Sequence, residues 1–352
     1  MDRLRLCFAG LGIDAILVSH LPNIRYLCDF SGSAGLLLVE VSTSTLFTDS
    51  RYTLQAGQEV RGARVHIARK GLLGAAGAYL RGRQRRSVGY ATGNVTIGQK
   101  QTLEAAAESR VRWIADANAV EKLRAVKTRD EVVEMQAAAQ LISDVFRGVL
   151  KIVRPGVTEL DLAAEIEYGI KKRGGSGPSF ETIVASGPRS AWAHARPTAK
   201  PLRKNELVVL DQGAILRGYC SDMTRTVFLG RASRRIRGLY QGVLRAQEAA
   251  KAVIRPGVKA GDVDRAARNV LRQLGLAQYF THSTGHGLGL EVHEMPRLDK
   301  GEQTVLQDGM VVTVEPGVYL EGLGGIRVED DVLVTAQGAV DLTTAPREFL
   351  EL

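Results

Sequence analysis

The tetrapeptide Arg154-Pro-Gly-Val157 recurs 101 residues later as Arg255-Pro-Gly-Val258. Each proline disfavours helix at the residue before it, so each copy ends the helix that precedes it. Ahead of the first copy, Thr128-Arg-Asp-Glu131 forms a capping box. It opens an amphipathic helix with Val132, Met135, Ala139, Ile142, Val145 and Val149 at near-helical spacing. A second amphipathic helix is predicted over 237–253, ahead of the second copy. Each turn then leads into a further helix, over 162–172 and 265–274, and afterwards into strands. The strands are expected at 180–185, 206–211 and 218–228 in the first half and at 311–314, 318–320 and 325–334 in the second. An internal duplication explains this pattern, with chance recurrence of a common Pro-Gly turn as the alternative. A duplicated α+β domain has a pseudo-twofold axis, helices on one face of its sheet, and a cleft where a site can form.

A chain of 352 residues is long for one core. Residues 1 to about 120 alternate short strands (14–19, 34–41, 44–48, 64–68, 86–90, 111–114) with helices near 24–28, 51–58, 74–81 and 97–108. This pattern implies a separate, smaller α/β domain without a titratable cluster, whose role is structural. The expected domains are therefore 1–122 and 123–352. The formal charge of +9 includes arginine groups at 81–86 and 231–237. No aromatic-interleaved basic stripe accompanies them, so solvated faces are expected rather than a nucleic-acid footprint. Cys7, Cys28 and Cys220 lack metal-type spacing and read as reduced thiols of a cytoplasmic protein. No apolar run reaches membrane-spanning length, and the opening Met-Asp-Arg-Leu-Arg lacks a signal-peptide core.

The chemistry concentrates between Thr281 and Glu294, where His282, His286 and His293 sit among Gly285, Gly287 and Gly289. The glycines disfavour a helix, so a strand or tight loop is expected, offering imidazoles to a metal or simply holding hydrogen-bonded histidines. They are also expected to let substrate and backbone come close to any metal. Acids then decide between these readings. The apolar strand Leu207-Val-Val-Leu210 ends on Asp211, and Asp222, Thr224 and Thr226 alternate on the next strand, across a hairpin. Glu315 follows Val311-Val-Thr-Val314, and Glu329 lies in the last strand. A carboxylate at the edge of an apolar strand is costly to desolvate without a partner. Asp211, Asp222, His286, Glu315 and Glu329 together supply mostly hard oxygen donors, suited to manganese first and also to cobalt or zinc. Their four negative charges balance two divalent ions, which implies amide hydrolysis by an activated water. A Gly-X-Ser-X-Gly elbow and the Lys-Ser/Thr of a phosphate loop are both missing from the sequence.

Six strings carry a family resemblance: Leu210-Asp-Gln-Gly213, Ser221-Asp-Met-Thr-Arg-Thr226, Thr284-Gly-His-Gly-Leu-Gly289, Val292-His-Glu294, Val314-Glu-Pro-Gly317 and Gly325-Ile-Arg-Val-Glu329. In this order the chain resembles the dinuclear metallopeptidases of the pita-bread fold, in the aminopeptidase P and prolidase branch. Tyr26-Leu-Cys-Asp-Phe-Ser-Gly-Ser-Ala-Gly35 and Thr48-Asp-Ser-Arg-Tyr52 look like its creatinase-type N-terminal domain. The resemblance implies the same five metal ligands. It also implies Glu315 as general acid/base, His293 as hydrogen-bond donor to the substrate carbonyl, and His194 as a second catalytic histidine near the scissile bond. Arg327 would orient ligands or substrate from the same strand face as Glu329, Phe180 would line a proline pocket, and His282 would support the site.

A tertiary Xaa-Pro amide has no N–H, so it resists peptidases that recognise that donor. A metal site gripping the carbonyl and the free amine does not need it. The expected activity is thus an Xaa-Pro aminopeptidase, with Ser31-Gly-Ser-Ala-Gly35 leaning that way. An Xaa-Pro dipeptidase is the alternative, and it needs a group for the free carboxylate. An inactive peptide-binding module is a distant third, because all five ligands are present. The expected partners are peptides with proline second and a second copy of the chain, with no nucleic acid or membrane.

Overall fold

The computed structural model describes residues 1–82, 86–116 and 118–352, so Arg83 and Arg85 of the basic group at 81–86 lie outside the described residues. Two units divide the chain, Met1–Arg124 and Ala125–Leu352. In the first, six strands form one mixed sheet in the spatial order Arg64–Ile67, Ser44–Thr48, Leu36–Glu40, Ala15–Val18, Arg86–Ala91, Val111–Asp116. Side chains alternate across it. Ile16, Val18, Leu37 and Val39 enter one core with Ile24 and Phe30. Ala15, Leu17, Leu36 and Leu38 enter the other, against helices Leu72–Arg81 and Ile97–Ala107. The helix expected at 51–58 starts as a 3-10 turn, because Asp49 caps the Arg51 amide before Thr53–Glu59 winds up.

The second unit repeats one plan. Helices Arg129–Val149 and Glu159–Lys172 pack on the sheet of Ile183–Ser186, Glu206–Gln212 and Met223–Leu229, through Ile142, Phe146, Ile166, Val208 and Val227. Helices Arg234–Val253 and Ala260–Gln273 pack likewise on the sheet containing Gly285–Gly287, Val311–Val314 and Asp330–Thr335, through Val243, Leu271, Val312 and Val332. The repeated turns are equivalent in detail. Gly156 and Gly257 both adopt a left-handed backbone, φ 91° and 89°, which glycine enters without a Cβ penalty. The Gly156 amide donates to Leu202 O at 3.0 Å and that of Gly257 to Leu306 O at 2.9 Å. Val157 O and Val258 O then accept from Leu202 and Leu306, each at 2.8 Å. This is the α+β pita-bread fold with its pseudo-twofold duplication, built from one helix–turn–helix unit used twice.

Two expected strands are broken where acids sit. The segment 218–228 divides into Tyr219–Cys220 and Met223–Leu229, with Asp222 in the gap. The segment 325–334 divides into Gly324–Arg327 and Asp330–Thr335, with Glu329 in the gap. Asp222 therefore does not share a strand face with Thr224, nor Glu329 with Arg327. Thr224, rather than Asp222, pairs across from Asp211. A regular ladder cannot point neighbouring carboxylates at one spot, and the breaks re-aim them.

Arg225 fastens the two gaps together from behind. It is 2% exposed; Nη1 donates to Thr224 O at 2.9 Å and Glu329 O at 2.6 Å, and Nη2 to Asp330 Oδ1 at 2.7 Å. Burial pushes the Asp330 carboxyl up, but Arg225 and Lys251 more than offset this and hold it below its ordinary range. Arg225→Met leaves a buried carboxylate short of its main partner. It is expected to lower stability by about 3–5 kcal/mol, read from urea unfolding. A loss below about 1 kcal/mol would show that the network is not a stabilising element.

Candidate metal centre

Asp211 lies near the end of strand Glu206–Gln212, Asp222 in the gap after Cys220, and His286 in the three-residue strand Gly285–Gly287. Glu315 follows strand Val311–Val314, and Glu329 occupies the second gap. The duplication thus places two ligand candidates on the first half and three on the second. Ligand atoms of Asp222, His286 and Glu329 lie within 4.8 Å of one another, and all three residues are buried. His286 Nε2 is 3.6 Å from Asp222 Oδ2 and 3.7 Å from Glu315 Oε1. Asp211 and Glu315 line the same cavity as these three.

Electrostatics show what the cluster lacks. Burial, then the neighbouring Glu329 and Asp211, push the Asp222 carboxyl well above its ordinary range. Burial, then Glu315 and Asp211, do the same to Glu329. Burial and Asp211 push Glu315 up to about 8, despite the pull of Arg327. Oδ1 of Asp211 is buried without a hydrogen-bond partner. Like charges packed this closely need added positive charge or protons. His286 is held low, to about 4, first by burial and then by His293, so it is neutral at neutral pH. Its Nδ1 lies 3.0 Å from Gly287 O, so a proton held there by that carbonyl leaves the Nε2 lone pair facing the acids. A bare imidazole nitrogen, crowded carboxylates and an orphaned carboxylate oxygen fit a divalent-cation site by their chemistry.

His282 does something else. Its Nδ1 is 2.7 Å from Ser283 O and its Nε2 is 2.8 Å from the Tyr319 hydroxyl, so both ring nitrogens are engaged. Arg327 is buried and ties the centre together. It donates to Thr224 Oγ1 at 2.9 Å, Tyr319 Oη at 2.6 Å, the Ala193 carbonyl at 3.1 Å, and an Asp211 carboxylate oxygen. Thr224 passes the contact on, donating to Glu329 Oε2 at 2.6 Å. Tyr319 and Thr224 thus support the centre, although neither is expected there from the sequence. Alternation offered a signal for Tyr319, since it points away from its buried strand neighbours Val318 and Leu320.

The glycines around His286 serve strand contact rather than substrate approach. A Cβ at Gly285 would lie 2.0 Å from Thr313 O, and one at Gly287 would lie 2.1 Å from Met295 O. A bulge between His286 and Gly287 turns the imidazole inward. His293 stands edge-on to His286 with ring centroids 4.4 Å apart. The cavity, about 330 Å³, is lined by His194, His293, Phe180 and the acids, so every predicted site residue except His282 lines it. That volume lies near the lower end of the range for small-molecule pockets.

Residues 133–336 match the model of metallopeptidase family M24, and residues 1–126 match the creatinase/prolidase N-terminal domain. The chain belongs to metallopeptidase family M24. It is 33% identical to the Xaa-Pro dipeptidase of Pyrococcus horikoshii, over 96% of this chain and 95% of that one. Its structure matches the Xaa-Pro dipeptidase from Bacillus anthracis with a TM-score of 0.95 and 36% identity, covering 100% and 98% of the two chains. The X-Pro aminopeptidase from Thermotoga maritima matches with a TM-score of 0.91 and 34% identity, covering 100% of both chains. As a family member with such relatives, this chain is a metallo-exopeptidase. Among the described residues no helix is long and apolar enough to cross a membrane.

Proposed function

We propose that the protein is a metal-dependent Xaa-Pro dipeptidase, releasing proline from a dipeptide. The observation carrying the metallopeptidase reading is the buried ligand cluster lining one cavity together with His194, His293 and Phe180. The naming of close relatives as Xaa-Pro dipeptidases supports the dipeptidase over the aminopeptidase first expected from sequence. Asp211, Asp222, His286, Glu315 and Glu329 would hold two divalent ions, with manganese preferred by the oxygen-rich donor set. Such ions, when bound, supply water activation and polarisation of the scissile carbonyl.

The remaining steps belong to the chain's own residues. Glu315 is the ligand carboxylate most open to the cavity, its side chain 16% exposed against 7% for Asp222 and 10% for Asp211. It takes the proton from the attacking water and returns it to the departing proline nitrogen. His293 and His194 donate N–H groups to the carbonyl oxygen as charge develops there. Phe180 packs on the proline ring, while Arg327 holds Asp211 in place and His282 steadies Tyr319. Residues 123–352 form the catalytic domain and residues 1–122 an accessory one. Copies pair as a homodimer through the accessory domain, where Leu6 and Leu54 are each 83% exposed. Free, buried Cys28 and Cys220 suit a cytoplasmic location.

Comparison of Ala-Pro with Ala-Pro-Ala tests the reading. The dipeptide is expected to be cleaved with a kcat/KM higher by about tenfold or more, the effect of one well-placed ionic contact. Faster cleavage of the tripeptide would restore the aminopeptidase.

A further inference from the structure

His194 reaches the cavity from a stretch of chain that is neither helix nor strand. The stretch follows strand Ile183–Ser186 and the 3-10 turn Gly187–Ala191. A catalytic side chain on such backbone is only as well placed as the bonds that hold the backbone. Those bonds converge on the Glu159 carboxylate, which is fully buried. Its Oε1 accepts from the amide and the hydroxyl of Ser186, each at 2.9 Å. Its Oε2 accepts from the amide and the hydroxyl of Thr198, at 3.1 and 2.8 Å. Ser186 and Thr198 flank His194, so one carboxylate closes the loop at both ends. Arg189 crosses between them. Its Nε donates to Glu159 Oε2 at 3.2 Å, its Nη2 donates to Arg196 O at 2.6 Å, and its guanidinium lies 5.0 Å from the centroid of the Trp192 ring.

The duplication shows that the fold does not require an acid at this position. The amides of Glu159 and Leu160 donate to Lys200 O and Thr198 O, each at 3.1 Å. In the second half the amides of Ala260 and Gly261 donate to Thr304 O and Glu302 O, at 2.9 and 3.1 Å. Ala260 therefore stands where Glu159 does, each opening the second helix of its unit and each fully buried. Turn, helix and backbone pairing all form around an alanine. A carboxylate taken out of water is costly without partners, and here Arg189 and the positive end of helix Glu159–Lys172 offset that cost. What Glu159 adds is specific to its half: it closes the loop that carries His194.

We propose that Glu159 is a positioning residue for the reaction, holding the loop so that the His194 imidazole meets the scissile carbonyl. This rests on the role given to His194 above. The test measures kcat and KM for Ala-Pro with the Mn²⁺-loaded enzyme in wild type, Glu159→Gln, Thr198→Val, His194→Ala and the two double variants with His194→Ala. Glutamine keeps one acceptor oxygen and can serve only one end of the loop. Glu159→Gln is expected to lower kcat about 10- to 100-fold with KM nearly unchanged, the effect of misplacing a group by about 1 Å. In the His194→Ala background the same change should lower kcat less than about twofold, because the group being positioned is already gone. A general loss of folded enzyme would lower kcat by the same factor in both backgrounds, and that result overturns the proposal. Hydrogen exchange gives a readout independent of turnover. Amides of 187–197 should exchange faster in Glu159→Gln, and unaltered exchange there also overturns the proposal. Where Glu159→Gln fails to fold, Thr198→Val loosens one end of the loop and leaves Ser186 and Arg189 on Glu159. It should lower kcat about threefold or more, again only with His194 present. A wild-type kcat in Thr198→Val then overturns the proposal. A wild-type kcat in His194→Ala removes that histidine from the mechanism, and the role of Glu159 with it, while the dipeptidase reading stands.

Discussion

Removal of divalent metal is expected to abolish Xaa-Pro hydrolysis and to lower the melting temperature of the catalytic unit by roughly 8–16 °C. The size follows from linkage. A ligand at a thousand times its Kd stabilises the folded state by about 4 kcal/mol. In a unit of this size each kcal/mol shifts the midpoint by roughly 2–4 °C. The effect should depend on pH in a stated direction. In the metal-free protein, burial and mutual repulsion raise the proton affinity of Asp222, Glu315 and Glu329. A carboxyl raised on folding stabilises the fold while protonated. That contribution is complete below the unfolded value, near 4, and is lost as pH rises through the folded value, about 8 for Glu315. The metal-free protein therefore loses this contribution between those limits, and the stabilisation by added Mn²⁺ grows over the same interval. Calorimetry with and without Mn²⁺ across that range checks both statements. Hydrolysis that survives exhaustive chelation, or a metal-induced shift that shrinks as pH rises, would reject the centre as drawn.

The duplication was legible in sequence because a Pro-Gly turn needs residues that little else can replace. Gly156 and Gly257 use the left-handed backbone their positions require. The ligand candidates were legible for a related reason, since an acid bordering an apolar strand has few structural excuses. Their convergence was harder to read. Alternation along unbroken strands gave Asp222 and Thr224 one face, whereas the chain breaks beside Asp222 and Glu329 to aim both inward. No local pattern announces such a break, because its cause is distant: Arg225 joins Thr224 O and Glu329 O across more than 100 positions of sequence.

Glu315→Gln is expected to lower kcat by about 10²- to 10⁴-fold, the range for loss of a positioned acid/base. Glutamine keeps the length and one carbonyl oxygen, so a ligand role survives in weakened form while proton transfer does not. Neighbouring groups do not offer a substitute. Asp211 is engaged by Arg327, Glu329 accepts the Thr224 hydroxyl, and the Asp222 side chain is 7% exposed against 16% for Glu315, so it is less open to the cavity. Metal content by mass spectrometry separates the two roles, because Asp222→Asn should lose metal and activity together. In Glu315→Gln, metal retained near wild-type stoichiometry with kcat depressed would place the proton step on this carboxylate. Metal lost in proportion to activity would reduce Glu315 to a ligand, and full activity with glutamine present would remove it from the mechanism. KM should change little in either case, because the substrate contacts assigned to His293, His194 and Phe180 remain in place.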